Sequence, residues 1–267
     1  MRENRVKREL LAGNVQVGTW IHSLASPEVP RVLATAGLDY VNIDMEHSLL
    51  SMESVGHLCA TALDVGIVPI VRPAGHYQHA VSRPLDNGAL GILAPHVDDR
   101  ATAERLVRIV RFPPQGDRGA QPPNIHQSFK SGDAAAYLAE ANKQTLLMVQ
   151  IESPKALEHL DDILSVDGID GATVGRGDLS AELGIAGRRG DPRILAAVED
   201  TVAACLRNGK IPGLLLNSTD EADHWIEQGV RLLTFASEVI FMRSAAETAV
   251  NALTTTAAAR GLYPEKP

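Results

Sequence analysis

The chain has 267 residues, 45% apolar but only 4% aromatic, and its 25 Lys and Arg against 33 Asp and Glu leave a net charge of −8. That length holds two average domains or one barrel of about 250 residues, with a core of Val, Leu, Ile and Ala that suits a packed parallel barrel. The acidic balance, with a pI near 5.6, argues against nucleic acid and against an anionic membrane surface as partners.

Short β-rich runs at 16–20, 40–43, 68–71, 91–94, 146–151, 171–174, 212–216 and 232–235 alternate with helical patterns at 27–36, 51–65, 99–110, 154–164, 194–208 and 219–228. Strands alternating with helices imply a parallel sheet, no linker divides the chain, and eight strands close a barrel. The expected fold is therefore a single (β/α)8 TIM-barrel domain over 1–267. Ser26-Pro27 reads as a helix cap followed by Pro at the first helical position. Gly37, Gly66 and Gly229 each stand where a helix should stop before a strand. The Pro-, Gly- and polar-rich stretch 113–133 is longer than an ordinary connection and reads either as a lid or as a decoration away from the site. The Ala-rich segment 238–260 is a final helix that either closes the barrel or packs on a neighbouring subunit. No apolar run is long enough to span a bilayer, and the charged N-terminus (Arg2, Arg5, Lys7, Arg8) lacks an apolar segment behind it. A cytoplasmic protein without a signal peptide is expected. Cys59 and Cys205 have no metal spacing and read as buried helical thiols.

Barrel enzymes carry their chemistry at the carboxyl ends of several strands. Here the second strand runs into Ile43-Asp44-Met45-Glu46-His47, the third into Val71-Arg72-Pro73, the fifth into Gln150-Ile151-Glu152, and the sixth is followed by Gly175-Arg176-Gly177-Asp178. Glu152 and Asp178 leave neighbouring strands, and two carboxylates in a partly buried site stay ionised when a cation lies between them; oxygen ligands suit Mg²⁺ or Mn²⁺. The alternative for this pair is a salt bridge to Arg72 or Arg176. His47 is the rim imidazole suited to proton transfer, with Asp86 as a candidate to orient it. Arg72 either stabilises an oxyanion or forms an ion pair with Asp44 or Glu46. The Gly175–178 turn offers backbone N–H groups to a carboxylate or phosphate. None of the lysines (7, 130, 143, 155, 210 and 266) falls on a predicted strand, which disfavours Schiff-base chemistry.

With these residues the sequence resembles the HpcH/HpaI aldolase family of class II pyruvate aldolases. The matching stretches are Gly37 to His47, Val71-Arg72-Pro73, Phe112 to Gly119, Val149 to Glu152, and Gly168 to Gly171 running on to Gly177-Asp178-Leu179-Ser180, and their order matches over 12–250. The resemblance implies that Glu152 and Asp178 bind a divalent metal (Mg²⁺, Mn²⁺ or Co²⁺). It implies that Gln150 and the backbone at Gly177 and Asp178 hold the pyruvate part of the substrate. By the same resemblance Arg72 stabilises the enolate oxygen, His47 is the base with its basicity raised by Asp86, and Trp20 lines the pocket. It also implies a hexamer with the last helix exchanged between subunits. The implied reaction cleaves or forms 4-hydroxy-2-oxo acids from a 2-oxo acid and an aldehyde, both small molecules.

Three stretches depart from the family pattern: Gly175-Arg176-Gly177-Asp178 stands for Gly-Pro-Ala-Asp, Arg118-Gly119-Ala120-Gln121 for Arg-Gly-Val-Gly, and Phe235-Ala236-Ser237-Glu238 for Val-Gly-Val-Asp. They leave the acceptor aldehyde open. Two other readings remain. An oxaloacetate decarboxylase or citryl-CoA-lyase-like enzyme would keep the enolate and change its fate, with Arg188-Arg189 as the only obvious nucleotide-binding groove. A non-catalytic ligand-binding barrel would not need the Glu152/Asp178 pair.

Overall fold

The computed structural model describes residues 1–263. Its strands are β1 (Gln16–Ile21), β2 (Tyr40–Asp44), β3 (Val68–Arg72), β4 (Gly91–Ala94), β5 (Leu146–Ile151), β6 (Gly171–Val174), β7 (Ile211–Leu216) and β8 (Leu232–Ser237). They pair in parallel and in chain order into a closed barrel. The ring closes where β1 meets β8, in register from Gln16↔Leu232 to Gly18↔Thr234 and then shifted to Trp20↔Ser237. Ala236, at φ +54°, lies at this bulge. The bulge turns the end of β8 at the rim, where such irregularities re-aim side chains.

Side chains alternate in and out along each strand. Val41, Ile43, Val71, Leu147, Val149 and Ile151 face the surrounding helices. Tyr40, Val68, Ile70, Leu146, Met148, Ile211 and Leu232 fill the barrel interior. Tyr40 crosses that interior to hydrogen-bond Thr234 Oγ1 at 2.8 Å. It occupies the space left by Gly18, where an added Cβ would lie 2.5 Å from the Tyr40 ring.

A helix the sequence pattern did not reveal, Arg5–Leu11, closes the lower end of the barrel. Val6 and Leu10 join the interior cluster, Asn4 caps Lys7 N–H at 3.0 Å, and Lys7 Nζ pairs with Asp170 at 2.9 Å. Three more helices, Gln78–Asp86, Ala134–Gln144 and Arg176–Glu182, complete the set. The pattern at 154–164 is two short helices, Pro154–Glu158 and Leu160–Leu164, that meet at His159. That at 219–228 is a 3-10 turn, Thr219–Glu221, followed by Ala222–Glu227. Gly37, Gly66 and Gly229 end their helices at φ +86°, +81° and +105°. The helix Glu28–Thr35 has Pro27 as its N-cap, one position later than expected and without a side-chain cap bond, although Ser26 Oγ accepts the Glu28 N–H at 3.3 Å. Cys59 and Cys205 are buried free thiols.

The stretch 113–133 is pinned away from the mouth. His126 Nε2 meets Leu85 O at 2.8 Å, Asn124 Nδ2 donates to Tyr137 Oη at 2.7 Å, and Arg118 pairs with Asp86 at 2.7 Å. The last helix, Glu238–Ala258, leaves the rim with only Glu238 buried. Strand pairing closes the barrel without it. Among the described residues no helix is long and apolar enough to cross a membrane.

Candidate active site

The strand period explains which side chains reach the mouth. Counting in steps of two, the inward residues are 18, 20 and 22 after β1; 40, 42 and 44 on β2; 68, 70 and 72 on β3; and 146, 148, 150 and 152 after β5. Each series is small or apolar below and ends polar above: His22, Asp44, Arg72 and Glu152. Above the apolar floor lies a cavity of about 570 Å³, lined among others by Trp20, His22, His47, Arg72, Gln150 and Asp178.

The Arg72 guanidinium is locked at the cavity wall. Nε and Nη2 donate to the Asp44 carboxylate at 2.8 and 2.9 Å, Nη1 lies 3.2 Å from Glu46, and the group rests 4.5 Å from the Trp20 ring centroid. Burial would push the Asp44 carboxyl up, but hydrogen bonds from His22 and Arg72, and the Arg72 charge, hold it well below the usual carboxylate range. Arg72 keeps N–H groups beyond these three contacts, since guanidinium carries five.

Glu152 is buried just behind the cavity wall. Its Oε1 accepts the His96 backbone N–H at 2.6 Å and its Oε2 accepts Gln150 Nε2 at 2.5 Å. The His96 ring bridges Glu152 and Glu46 at 3.3 and 3.1 Å. Burial pushes the Glu152 carboxyl up to about 7, His96 opposes the rise, and the charges of Asp178 and Glu46 add to it. Gln150 Oε1 is buried without a hydrogen-bond partner. A carboxylate so crowded, beside that orphaned acceptor oxygen, is a donor set suited to a hard cation. Among the described residues no three His, Cys, Asp or Glu side chains form a metal cage.

Gly175, which accepts no side chain, brings the β6 turn against Glu152. An added Cβ would collide with Glu152 Oε2 and lie 2.7 Å from Gln150 Nε2. The turn opens the helix Arg176–Glu182 and puts Gly177 and Asp178 on the cavity.

A family model described as HpcH/HpaI aldolase/citrate lyase matches residues 16–245. The chain belongs to the HpcH/HpaI aldolase/citrate lyase family. It is 36% identical over 248 residues to a hydroxypyruvate/pyruvate aldolase of Pseudomonas aeruginosa, covering 92% of this chain and 91% of that one. It is 33% identical over 245 residues to a 4-hydroxy-2-oxo-heptane-1,7-dioate aldolase of Escherichia coli, covering 92% and 93%. The crystal structure of an HpcH/HpaI aldolase from Desulfitobacterium hafniense DCB-2 superposes with a TM-score of 0.89 at 32% identity, covering 93% of this chain and 96% of that one. The family's resemblance and its barrel, expected from the sequence, both hold, and the enzyme is a carbon–carbon lyase of that family.

In this HpcH/HpaI family member the structure brings Trp20, His47, Arg72, Gln150, Gly177 and Asp178 to one cavity with Glu152 directly behind it. Asp86 is the exception. It is the last residue of Gln78–Asp86, a helix that runs back from the mouth toward the amino ends of the strands, and it pairs there with Arg118. Within the chain, among the described residues, it makes no contact with His47. The carboxylate nearest the His47 ring is Glu46, 3.7 Å from Nε2, while Asp44 accepts only the His47 backbone N–H, at 3.4 Å. Arg72 forms the expected ion pairs with Asp44 and Glu46 and also lines the cavity. Arg176 pairs with Glu221 at 3.2 Å instead of with the candidate metal carboxylates.

Sequence reasoning named Asp44 as a partner for Arg72, which it is, but missed His22 and His96. His22 follows from extending the inward phase of β1 by one step. His96, at φ +49°, sits beyond β4 and has no periodic signal.

Proposed function

We propose that this lyase is a divalent-metal-dependent class II aldolase that cleaves and forms 4-hydroxy-2-oxo acids through the enolate of pyruvate or a related 2-oxo acid, with an aldehyde as second substrate. The observation that carries the reading is the convergence of Glu152, Gln150 and Asp178 at one rim beside the fixed guanidinium of Arg72. Glu152 and Asp178 would hold Mg²⁺, Mn²⁺ or Co²⁺, which supplies Lewis-acid polarisation of the 2-oxo group.

The protein's own groups do the rest. Gln150 and the backbone N–H groups at Gly177 and Asp178 hold the substrate carboxylate at a helix N-terminus. Arg72, kept rigid by Asp44, Glu46 and Trp20, donates to the developing enolate oxygen without reorganising, the condition under which such donors are most effective. His47, half exposed above the cavity, exchanges the proton on C3. Asp86 is not part of this set within one chain. The same reading includes a cytoplasmic homo-oligomer, a hexamer in which Glu238–Ala258 is exchanged between subunits. Its exposed Ile240, Met242, Val250 and Leu253 support that assignment.

The test is pyruvate release from a panel of 4-hydroxy-2-oxo acids, with EDTA and then with Mg²⁺, Mn²⁺ or Co²⁺ restored. Release that stops with chelator and returns with metal is expected. Full activity after complete metal removal would overturn the assignment of Glu152 and Asp178.

A further inference from the structure

Aldol chemistry on a 2-oxo acid moves two protons, one on C3 and one on the C4 oxygen, and the site carries two imidazoles on one cavity. They are held differently. His47 is exposed and its ring reaches only Glu46, at 3.7 Å. His22 follows β1, stacks on Trp20 with ring centroids 5.2 Å apart, and binds Asp44 Oδ2 through Nδ1 at 3.0 Å. Its backbone is fixed too: Glu238, at the start of the last helix, accepts the N–H groups of His22, Ser23 and Leu24 at 3.0, 2.6 and 3.0 Å. The charged and titratable groups around the ring are therefore Asp44 from β2, Arg72 from β3 bound to that same Asp44, His47 beyond β2 and Glu238 from the last helix. Asp44 stays ionised and accepts, so the neutral ring carries its proton on Nδ1. Nε2 is left with a free lone pair and, among the described residues, no partner.

We propose that His22, with Asp44 behind it, is the acid–base group for the acceptor half of the reaction. The inference rests on the aldolase reading. In cleavage His22 Nε2 takes the proton of the C4 hydroxyl as the C3–C4 bond breaks. The O–H pair becomes the second bond of the aldehyde carbonyl, and the C3–C4 pair passes into the enolate. Asp44 stabilises the imidazolium, as a buried carboxylate does in other imidazole–carboxylate pairs. His22 then gives its proton to solvent and the enolate carbon takes one from the His47 side, so no net proton is gained or lost. In synthesis the same nitrogen protonates the new alkoxide.

The experiment separates the two halves in one preparation of the metal-loaded enzyme. Exchange of the pyruvate methyl protons in D2O, read by NMR, needs only the C3 step. Cleavage of the best 4-hydroxy-2-oxo acid needs both. In His22→Asn the side-chain amide keeps a donor to Asp44 but transfers no proton. Cleavage is expected to fall by about 10²-fold or more, the ratio of cleavage to exchange to drop at least about ten-fold, and the acidic limb of the kcat–pH profile to flatten. His22→Gln, whose amide nitrogen reaches toward the Nε2 position, gives the same split if His22→Asn fails to fold. Cleavage by His22→Asn at the wild-type rate would reduce His22 to a tether for Asp44, and equal loss of both activities would also overturn the proposal. If the wild-type enzyme itself neither exchanges nor cleaves, the aldolase reading fails and this one with it.

Discussion

Gly175 shows how one hydrogen atom in place of a methyl group sets a functional geometry. The turn touches Glu152 and Gln150, so Gly175→Ala must push the Glu152 carboxylate aside. Displacements of about 1 Å cost about 10²-fold in rate, and a loss of that order in kcat/KM, with weaker Mn²⁺ binding by calorimetry, is the expected outcome. A second residue governs stability instead of chemistry. Burial pushes the His126 ring from its ordinary 6.5 down to about 4, only partly offset by its bond to Leu85. The unfolded chain therefore binds a proton below about pH 6.5 that the folded chain refuses until about pH 4. Stability is present above that window and is lost as pH falls through it, by roughly 3 kcal/mol in full. Denaturant unfolding of His126→Gln between pH 7 and 4 should show a flatter slope than wild type. At this scale the sequence was legible where the strand phase was followed to the rim, as at Arg72 and Glu152. It was illegible at His126 and His96, whose surroundings are made by loops with no period.

The helix Arg176–Glu182 illustrates the same limit one level up. Its first residue is a cation almost fully buried, with Nη1 on Glu221, the ring of Trp225 at 5.7 Å, and Nε and Nη2 unpartnered. Glu221 also accepts the Asn217 backbone N–H and Trp225 Nε1. The ion pair thus ties the helix that carries Asp178 to the loop after β7. Glu221→Ala leaves a buried charge uncompensated, and a loss of about 2–3 kcal/mol in unfolding free energy is expected by urea titration. The eight strands were readable because both faces of a parallel sheet are apolar and the runs are short. The helix after the Gly175–178 turn was also readable, as a helix-like segment at 179–183, and is observed at Arg176–Glu182. Two others were not. Arg5–Leu11 hides Val6 and Leu10 among charges, and Ala134–Gln144 buries only Tyr137, Ala141 and Asn142, too thin a stripe to announce a helix. The split at His159 and the 3-10 turn at Thr219–Glu221 depend on packing that no local pattern encodes.

For the whole molecule, the proposed hexamer bears on the last helix. Met242 and Leu253 are 58% and 71% exposed along it, more apolar surface than an isolated barrel has use for. Met242→Glu with Leu253→Glu should lower the mass measured by light scattering from that of an oligomer toward 28.5 kDa. Wild-type protein already running at that mass would overturn the exchanged-helix assignment. At its other end the barrel is solid: Val6 and Leu10 of the first helix pack into the same cluster as Tyr40, Leu146 and Met148. A filled interior leaves one doorway, at the carboxyl ends of the strands. On the proposed aldolase reading, both substrates and both products share that doorway, so arrivals and departures compete for one threshold.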